Sequence, residues 1–306
     1  MAKKTTRRHA SFGSSLLIVV LAVLAALLYP YLFNKETPQS PAEPVDGQIR
    51  VHVIDVGQGD AILLTTPDGN ILIDAGDNVT KYEQALQAYL DGLGITELEY
   101  FVLTHVHADH IGGADMILQN YTVKNVLMTS EVTTTGVFER MMDALEASEA
   151  NVIEAVAGNT FSLGDLHFRI LAPLKDYPDT NDMSIVLRAT YGKVSMLFTG
   201  DAEGNPINKN AGESEKDMLA TYRADELQSD FYKVGHHGSD TSSGAAFLQA
   251  VAPKIAAVSV GEGNKYGHPS ASVLDALDAV GATCYRTDLA GSLVFVCDGE
   301  NIAYEP

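Results

Sequence analysis

The chain is poor in cysteine and in basic residues. Its 306 residues hold only two cysteines, Cys284 and Cys297. Two thiols are too few for a disulfide scaffold or a cysteine-based zinc module. Lys and Arg number 20 against 40 Asp and Glu, a formal net charge of -20. That balance argues against a simple basic sponge for nucleic acid, because such binding runs on Lys and Arg neutralising phosphates. No internal repeat is visible, and no serine sits in a nucleophile-elbow context, which disfavours a Ser-His-Asp triad. The glycines of Asp55-Val56-Gly57-Gln58-Gly59-Asp60 match neither the Walker pattern nor GxGxxG. They read as a tight β-turn that can bring Asp60 near a site. What remains, 46% hydrophobic and 20% charged, is the composition of a globular protein.

The one long apolar run, residues 16–33, carries no charge and follows Lys3, Lys4, Arg7 and Arg8. As a helix it would reach roughly 27 Å, just enough to span a bilayer. The positive-inside rule then leaves residues 1–15 as a cytoplasmic basic stub and puts the rest outside. The expectation is a single-pass signal anchor in the cell membrane; a cleaved signal peptide and a secreted domain is the alternative. The first 33 residues sum to +4 and the remainder to -24. Residues 34–48 hold three prolines and read as an extended linker.

Residues 49–306 alternate strand and helix signals, as one continuous layered α/β domain would. β-runs fall at 49–56, 61–65, 70–74, 100–103, 123–128, 166–171, 184–190, 195–199, 231–234, 255–260 and 292–296. Helical spacing falls at 81–93, 138–147, 215–227, 245–251 and 271–280. Cys284 and Cys297 flank residues 288–291, which read as a hairpin turn across which they could face each other. An exported location would permit a disulfide there; two buried thiols are the ordinary alternative.

The chemistry concentrates in Thr104-His105-Val106-His107-Ala108-Asp109-His110, directly after an apolar strand. In an extended loop His105 and His107 point to one side. Asp109 and His110 follow and can face a second ion. Imidazole and carboxylate suit zinc, and also manganese or iron. Asp201 ends another strand and can bridge two cations. His236 and His237 end a third; adjacent residues there point apart, so one could ligate and the other contact substrate. Asp74, at a further strand end, is placed to orient a ligand imidazole.

These residues resemble the metallo-β-lactamase superfamily. In order, DVGQGD (55–60), THVHADHIGG (104–113), NDMS (181–184), FTGD (198–201), VGHHGS (234–239), NKYGHPS (264–270) and YRTDLAGSL (285–293) resemble the hydrolase domain of the ComEC competence family. The large multi-helix channel region of that family has no counterpart here, so channel function is not carried over. The resemblance implies a four-layer αββα sandwich after the N-terminal transmembrane helix. It implies His105, His107, Asp109, His110, Asp201 and one or both of His236 and His237 as ligands for two divalent metal ions, zinc or manganese, or for one. The superfamily's further ligand histidine is missing. His167 reads as a strand residue, and Asn181 or Asp182 lies closer to the required place, as a weak substitute or as a support to the direct ligands.

The implied activity is that of a membrane-anchored, exported metal-dependent hydrolase acting on phosphodiesters, DNA first, through a metal-activated hydroxide. Asp109 or Asp201 would orient that hydroxide, and His237, Ser239, Lys265 or His268 would contact substrate or leaving group. Alternatives are a phosphoesterase for cell-envelope or choline phosphodiesters, and a non-catalytic nucleic-acid-binding or assembly module. β-Lactam hydrolysis is weaker, since these motifs differ from those of the antibiotic hydrolases. Given the acidity, DNA would need metals plus a local patch of Lys233, Lys265 and Arg286, or a delivering partner.

Overall fold

A computed structural model describes residues 47–306. The basic stub, the apolar run and all but the last two residues of the linker lie outside the described residues. Among the described residues no helix is long and apolar enough to cross a membrane.

The first sheet begins with the antiparallel strands β1 (Ile49–Val53), β2 (Ile62–Thr66) and β3 (Gly69–Ile73). It continues in parallel through β4 (Glu97–Val102), β5 (Thr122–Met128) and β6 (Asn151–Glu154). The intervening helices are α1 (Thr80–Gly92), α2 (Ala108–Ile111), α3 (Ala114–Asn120) and α4 (Gly136–Ala147).

A second sheet follows, antiparallel through β7 (Thr160–Leu163), β8 (Leu166–Ala172), β9 (Val186–Tyr191) and β10 (Val194–Phe198). Helices α5 (Ser214–Thr221) and α6 (Ala224–Leu227) lead to β11 (Phe231–Lys233). That strand pairs in parallel with β10 and with β12 (Ile255–Val258), which pairs with β13 (Thr283–Arg286). Helices α7 (Ala245–Val251) and α8 (Ala271–Ala279) make the crossovers. After α9 (Thr287–Ala290) the chain returns to the first sheet as β14 (Leu293–Cys297) and β15 (Ile302–Glu305).

The central strands are apolar on both faces, and that dictates the layers. Ile62, Leu64, Ile71 and Ile73 point inward to Phe168, Leu187, Met196 and Phe231 of the other sheet. Leu63, Leu72 and Phe101 point outward, where Leu86, Leu90, Ile117 and Met141 of the helices cover them. Leu197, Tyr232 and Ala256 are covered likewise by Phe247, Leu248, Val273 and Leu277. Helices outside two facing sheets make the αββα sandwich.

Two local expectations need correction. Residues 215–227 form two helices, because Tyr222 turns extended (φ -104°, ψ 147°) and its hydroxyl donates to the Leu171 carbonyl at 2.8 Å. Cys284 and Cys297 do not face each other across a hairpin. They lie on β13 and β14, in different sheets, and both thiols are free. Residues 287–291 form a helix and turn that carries the chain from one sheet to the other.

Candidate metal centre

Strands β3, β4, β10, β11 and β12 end at one edge of the sandwich, and their following loops converge there. Asp74 follows β3, residues 104–110 follow β4, Asp201 follows β10, and His236 and His237 follow β11. The loop after β1 adds Asp60. Its glycine Gly59 is required by a close approach: a Cβ there would come within 2.5 Å of the Asp109 carbonyl oxygen.

Asp201 stands at the centre. Its Oδ1 is 3.2 Å from Nε2 of His110. Its Oδ2 is 3.9 Å from Nε2 of His105, 3.7 Å from Nε2 of His236 and 3.8 Å from Nε2 of His237. Nε2 of His105 and Nδ1 of His107 approach to 3.0 Å. Asp109 Oδ2 lies 3.4 Å from Nε2 of His237. Asp201 thus sits between a His105–His107–His236 side and an Asp109–His110–His237 side.

Buried partners orient the rings from behind. Asp74 accepts from Nδ1 of His110 at 2.7 Å, and is itself fixed by the backbone N–H and hydroxyl of Thr104 at 2.8 and 2.7 Å. The Ser259 carbonyl accepts from Nδ1 of His237 at 3.0 Å, with Asp60 Oδ1 at 3.3 Å from the same atom. Glu203 accepts from Nδ1 of His236 at 2.8 Å and from the Thr241 hydroxyl at 2.7 Å. The Ser184 hydroxyl accepts from the Asp201 backbone N–H at 2.9 Å and lies 3.3 Å from Nδ1 of His105.

The two adjacent histidines do not point apart as strand residues would. His236 (φ 46°, ψ 45°) and His237 (φ 53°, ψ 21°) both adopt left-handed backbone inside a tight turn. That turn brings both rings to Asp201. Asp74, at φ 59°, is a third non-glycine residue in this region. Such conformations cost of order 1–3 kcal/mol each and cluster at functional sites.

Other expected site residues have different surroundings. Asp182 accepts from the backbone N–H groups of Glu203, Glu213 and Ser214 at 3.1, 2.6 and 3.3 Å, so it ties loops together away from the rings. Asn181 reaches the site through Glu203, donating to it at 3.1 Å. The Ser239 hydroxyl pairs with Thr241 at 2.8 Å rather than facing outward. His268 sits 5.7 Å from the His236 ring, centroid to centroid, and its buried Nδ1 lacks a partner. His167 is a β8 residue paired with Ser162 at 2.8 Å.

The basic patch expected beside the site is reduced. Lys233 is completely buried, with Nζ 2.8 Å from Asp60 and donating to the Val234 carbonyl at 2.9 Å. Arg286 is paired with Asp288 at 2.6 Å. Lys265 alone of the three stays exposed, over the ring of Tyr266. Sequence reasoning missed Glu203, Ser184 and the Lys233–Asp60 pair. The only signal was proximity to a motif, since each acts through the fold rather than through a local pattern.

The electrostatics favour cations. Burial pushes His110 down, yet Asp201 and Asp74 outweigh it and hold its pKa well above the ordinary value. His237 is also opposed by burial, yet Asp201, Asp109 and Asp60 lift it to about 10. Burial works against the Asp201 charge, but His110, His236 and His237 hold that carboxyl far below the usual range. His105, by contrast, is driven well down by burial and by His110.

The residues fit a divalent cation. Ligand atoms of Asp109, His110, Asp201 and His237 all lie within 4.8 Å of one another. Nε2 of His110, Nε2 of His237 and Oδ1 of Asp201 are buried and, despite their contacts of 3.2 and 3.4 Å, make no well-directed hydrogen bond. Orphaned buried donors and acceptors are costly, and a cation would engage all three. Asp60, Asp74 and His110 form a second close group. There Lys233 neutralises Asp60, while Asp74 holds His110 through Nδ1.

Comparison with known proteins agrees with this architecture. ComE operon protein 3 of Bacillus subtilis is 30% identical over 262 residues, covering 80% of this chain and 32% of that protein. Competence protein ComA of Neisseria gonorrhoeae is 29% identical over 291 residues, covering 91% and 38%. Recombination protein 2 of Haemophilus influenzae is 32% identical over 250 residues, covering 80% and 28%. The chain therefore spans about a third of the length of these relatives. In fold it is similar to the metallo-beta-lactamase fold protein YhfI of Bacillus subtilis, with TM-score 0.55 and 12% identity over 82% of this chain and 99% of that one. It is also similar to CmlA, a diiron beta-hydroxylase of Streptomyces venezuelae, with TM-score 0.51 and 13% identity over 80% and 53%. The metallo-beta-lactamase superfamily profile matches residues 54–262, more than half of the chain, and this chain belongs to that superfamily.

Proposed function

We propose that this protein is a metal-dependent phosphodiesterase, with DNA the first substrate to test. We also propose that residues 16–33 anchor it in the membrane and that residues 49–306 act outside the cytoplasm. The observation that carries the hydrolase reading is Asp201. One buried carboxylate is approached by four imidazoles from two loops, and orphaned buried ligand atoms surround it. Two relatives named for competence and for recombination support a nucleic-acid phosphodiester as substrate.

Bound divalent cations supply Lewis-acid stabilisation of a phosphoryl oxygen and acidify a water. The protein groups supply the geometry. Asp74 and Ser259 fix the rings of His110 and His237 so that both Nε2 atoms face inward. Asp109 is the most exposed carboxylate of the cluster, and it can orient an incoming water. Burial, then His236 and His237, lowers His268 to about 4, so it is neutral at pH 7. Its Nδ1 has no partner and is available to hydrogen-bond a bound group.

The test is turnover of bis-p-nitrophenyl phosphate and of single-stranded DNA by the purified full chain with added manganese or zinc. Turnover that disappears in Asp201→Ala supports the reading. No bound metal and no turnover with any ion would sink it. Membrane fractionation with protease access to residues 49–306 in intact cells tests the anchor separately.

A further inference from the structure

Beside Asp109 lies a cavity of about 360 Å³ that the metal cluster does not fill. Gln58, Asp77, Asp109, Asn264, Lys265 and Tyr266 line it. Its outer wall is a preformed loop. Asn264 Oδ1 accepts from the backbone N–H groups of Tyr266 and His268, both at 3.1 Å. Asn264 Nδ2 donates to the carbonyls of His268 and Gly261 at 2.7 and 3.2 Å. Gln58 Oε1 pins the same loop through the Gly261 N–H at 3.2 Å. This scaffold holds Tyr266 stacked near His268, at 5.7 Å and 25°, while 60% of the tyrosine stays exposed. Among the described residues it is the only phenylalanine or tyrosine left so open. Lys265 Nζ stands 5.4 Å from its ring centre.

We infer that this cavity is a nucleobase subsite, in which Tyr266 stacks an unpaired base of a single-stranded nucleic acid next to the phosphate at the metal cluster, with Lys265 on the adjoining backbone phosphate. The inference rests on the phosphodiesterase reading above. Charge sorts the ligand's parts. Asp77 and Asp109 would repel a phosphate placed inside the cavity, but they can accept from base N–H groups. A flat neutral ring therefore suits the interior, and the anionic backbone suits the Lys265 rim. An aromatic platform with a neighbouring cation is how single strands are held with little sequence preference. A base paired within a duplex could not enter.

The test compares cleavage of a single-stranded oligodeoxyadenylate with cleavage of the same backbone carrying abasic linkages, using the full chain with manganese. Base stacking of the usual strength predicts that Tyr266→Ala raises KM for the oligodeoxyadenylate by about 5- to 150-fold with little change in kcat. Tyr266→Phe should retain most of the affinity. Removing ring and bases together should cost much less than the two losses combined, because each removes the same contact. Lys265→Ala should lower the salt slope of binding by about one. If Tyr266→Ala cleaves the oligodeoxyadenylate with wild-type KM, the subsite is refuted while the phosphodiesterase reading stands. If the wild type cleaves neither backbone with any ion, that reading fails and takes the subsite with it.

Discussion

The candidate site has a sealed half and an open half. On the sealed half Asp74, His110, His237, Asp60 and Lys233 are all buried, and every one has a charged or polar partner within 3.3 Å. On the open half His107 is exposed, Asp109 is partly so, and the cavity walled by Lys265 and Tyr266 adjoins it. The contrast teaches that ring positions are set from behind, by hydrogen bonds that solvent cannot reach. Ligand exchange is left to the front. It also locates what holds the strained turn of His236 and His237 in place: Glu203 and Ser259 grip both rings through Nδ1.

The largest break is at the boundary between the halves. Asp201→Ala removes the carboxylate both sides share, and hydrolysis should fall about a thousand-fold or more while circular dichroism keeps its native shape. Next is the sealed half alone. Lys233→Met strands the Asp60 carboxylate in the core and should cost about 3–5 kcal/mol in urea unfolding, with Lys233→Met plus Asp60→Leu recovering most of it. A single-variant loss below about 1 kcal/mol would mean that water reaches this pair. Asp74→Asn should then weaken metal binding by about 10- to 100-fold in competition titrations, because one amide oxygen cannot replace the two carboxylate oxygens that accept from Thr104 and orient His110. His107→Ala, on the exposed side, should shift the unfolding stability of the metal-free protein by no more than about 0.5 kcal/mol.

A separate effect is a pH slope. Glu215 is buried behind the histidine turn and accepts from the backbone N–H groups of Ser243 and Gly244, and burial lifts its pKa from 4.5 to about 8. The folded protein thus keeps a proton that the unfolded chain releases. Stability should fall as pH rises from 4.5 to about 8, and Glu215→Gln should flatten that slope. An unchanged slope in the variant would assign it to other groups.

The sealed and open halves also differ in how far the sequence exposes them. The ligand loop was legible because its histidines and aspartate sit at short spacing after a strand. Central strands were legible for a related reason, since burial on both faces leaves continuous apolar runs such as Ile62-Leu63-Leu64. The strands that escaped notice are β6, β7, β13 and β15, and all four are sheet edges. Edge strands are short and half-exposed, so their composition blends with loops. Lys233 misled for a different reason. A lysine reads as surface charge until a partner 173 positions away, Asp60, is folded against it. Glu203 and Ser184 became visible only when loops distant in sequence met around His236 and His105.

The most direct measurement is the metal content of the purified full chain, by elemental analysis, beside Asp201→Ala and His110→Ala proteins of native circular dichroism. The wild-type chain should carry at least one zinc or manganese ion, and both variants should lose most of it. Equal metal content in all three proteins, or none in the wild type after dialysis against either ion, would contradict this.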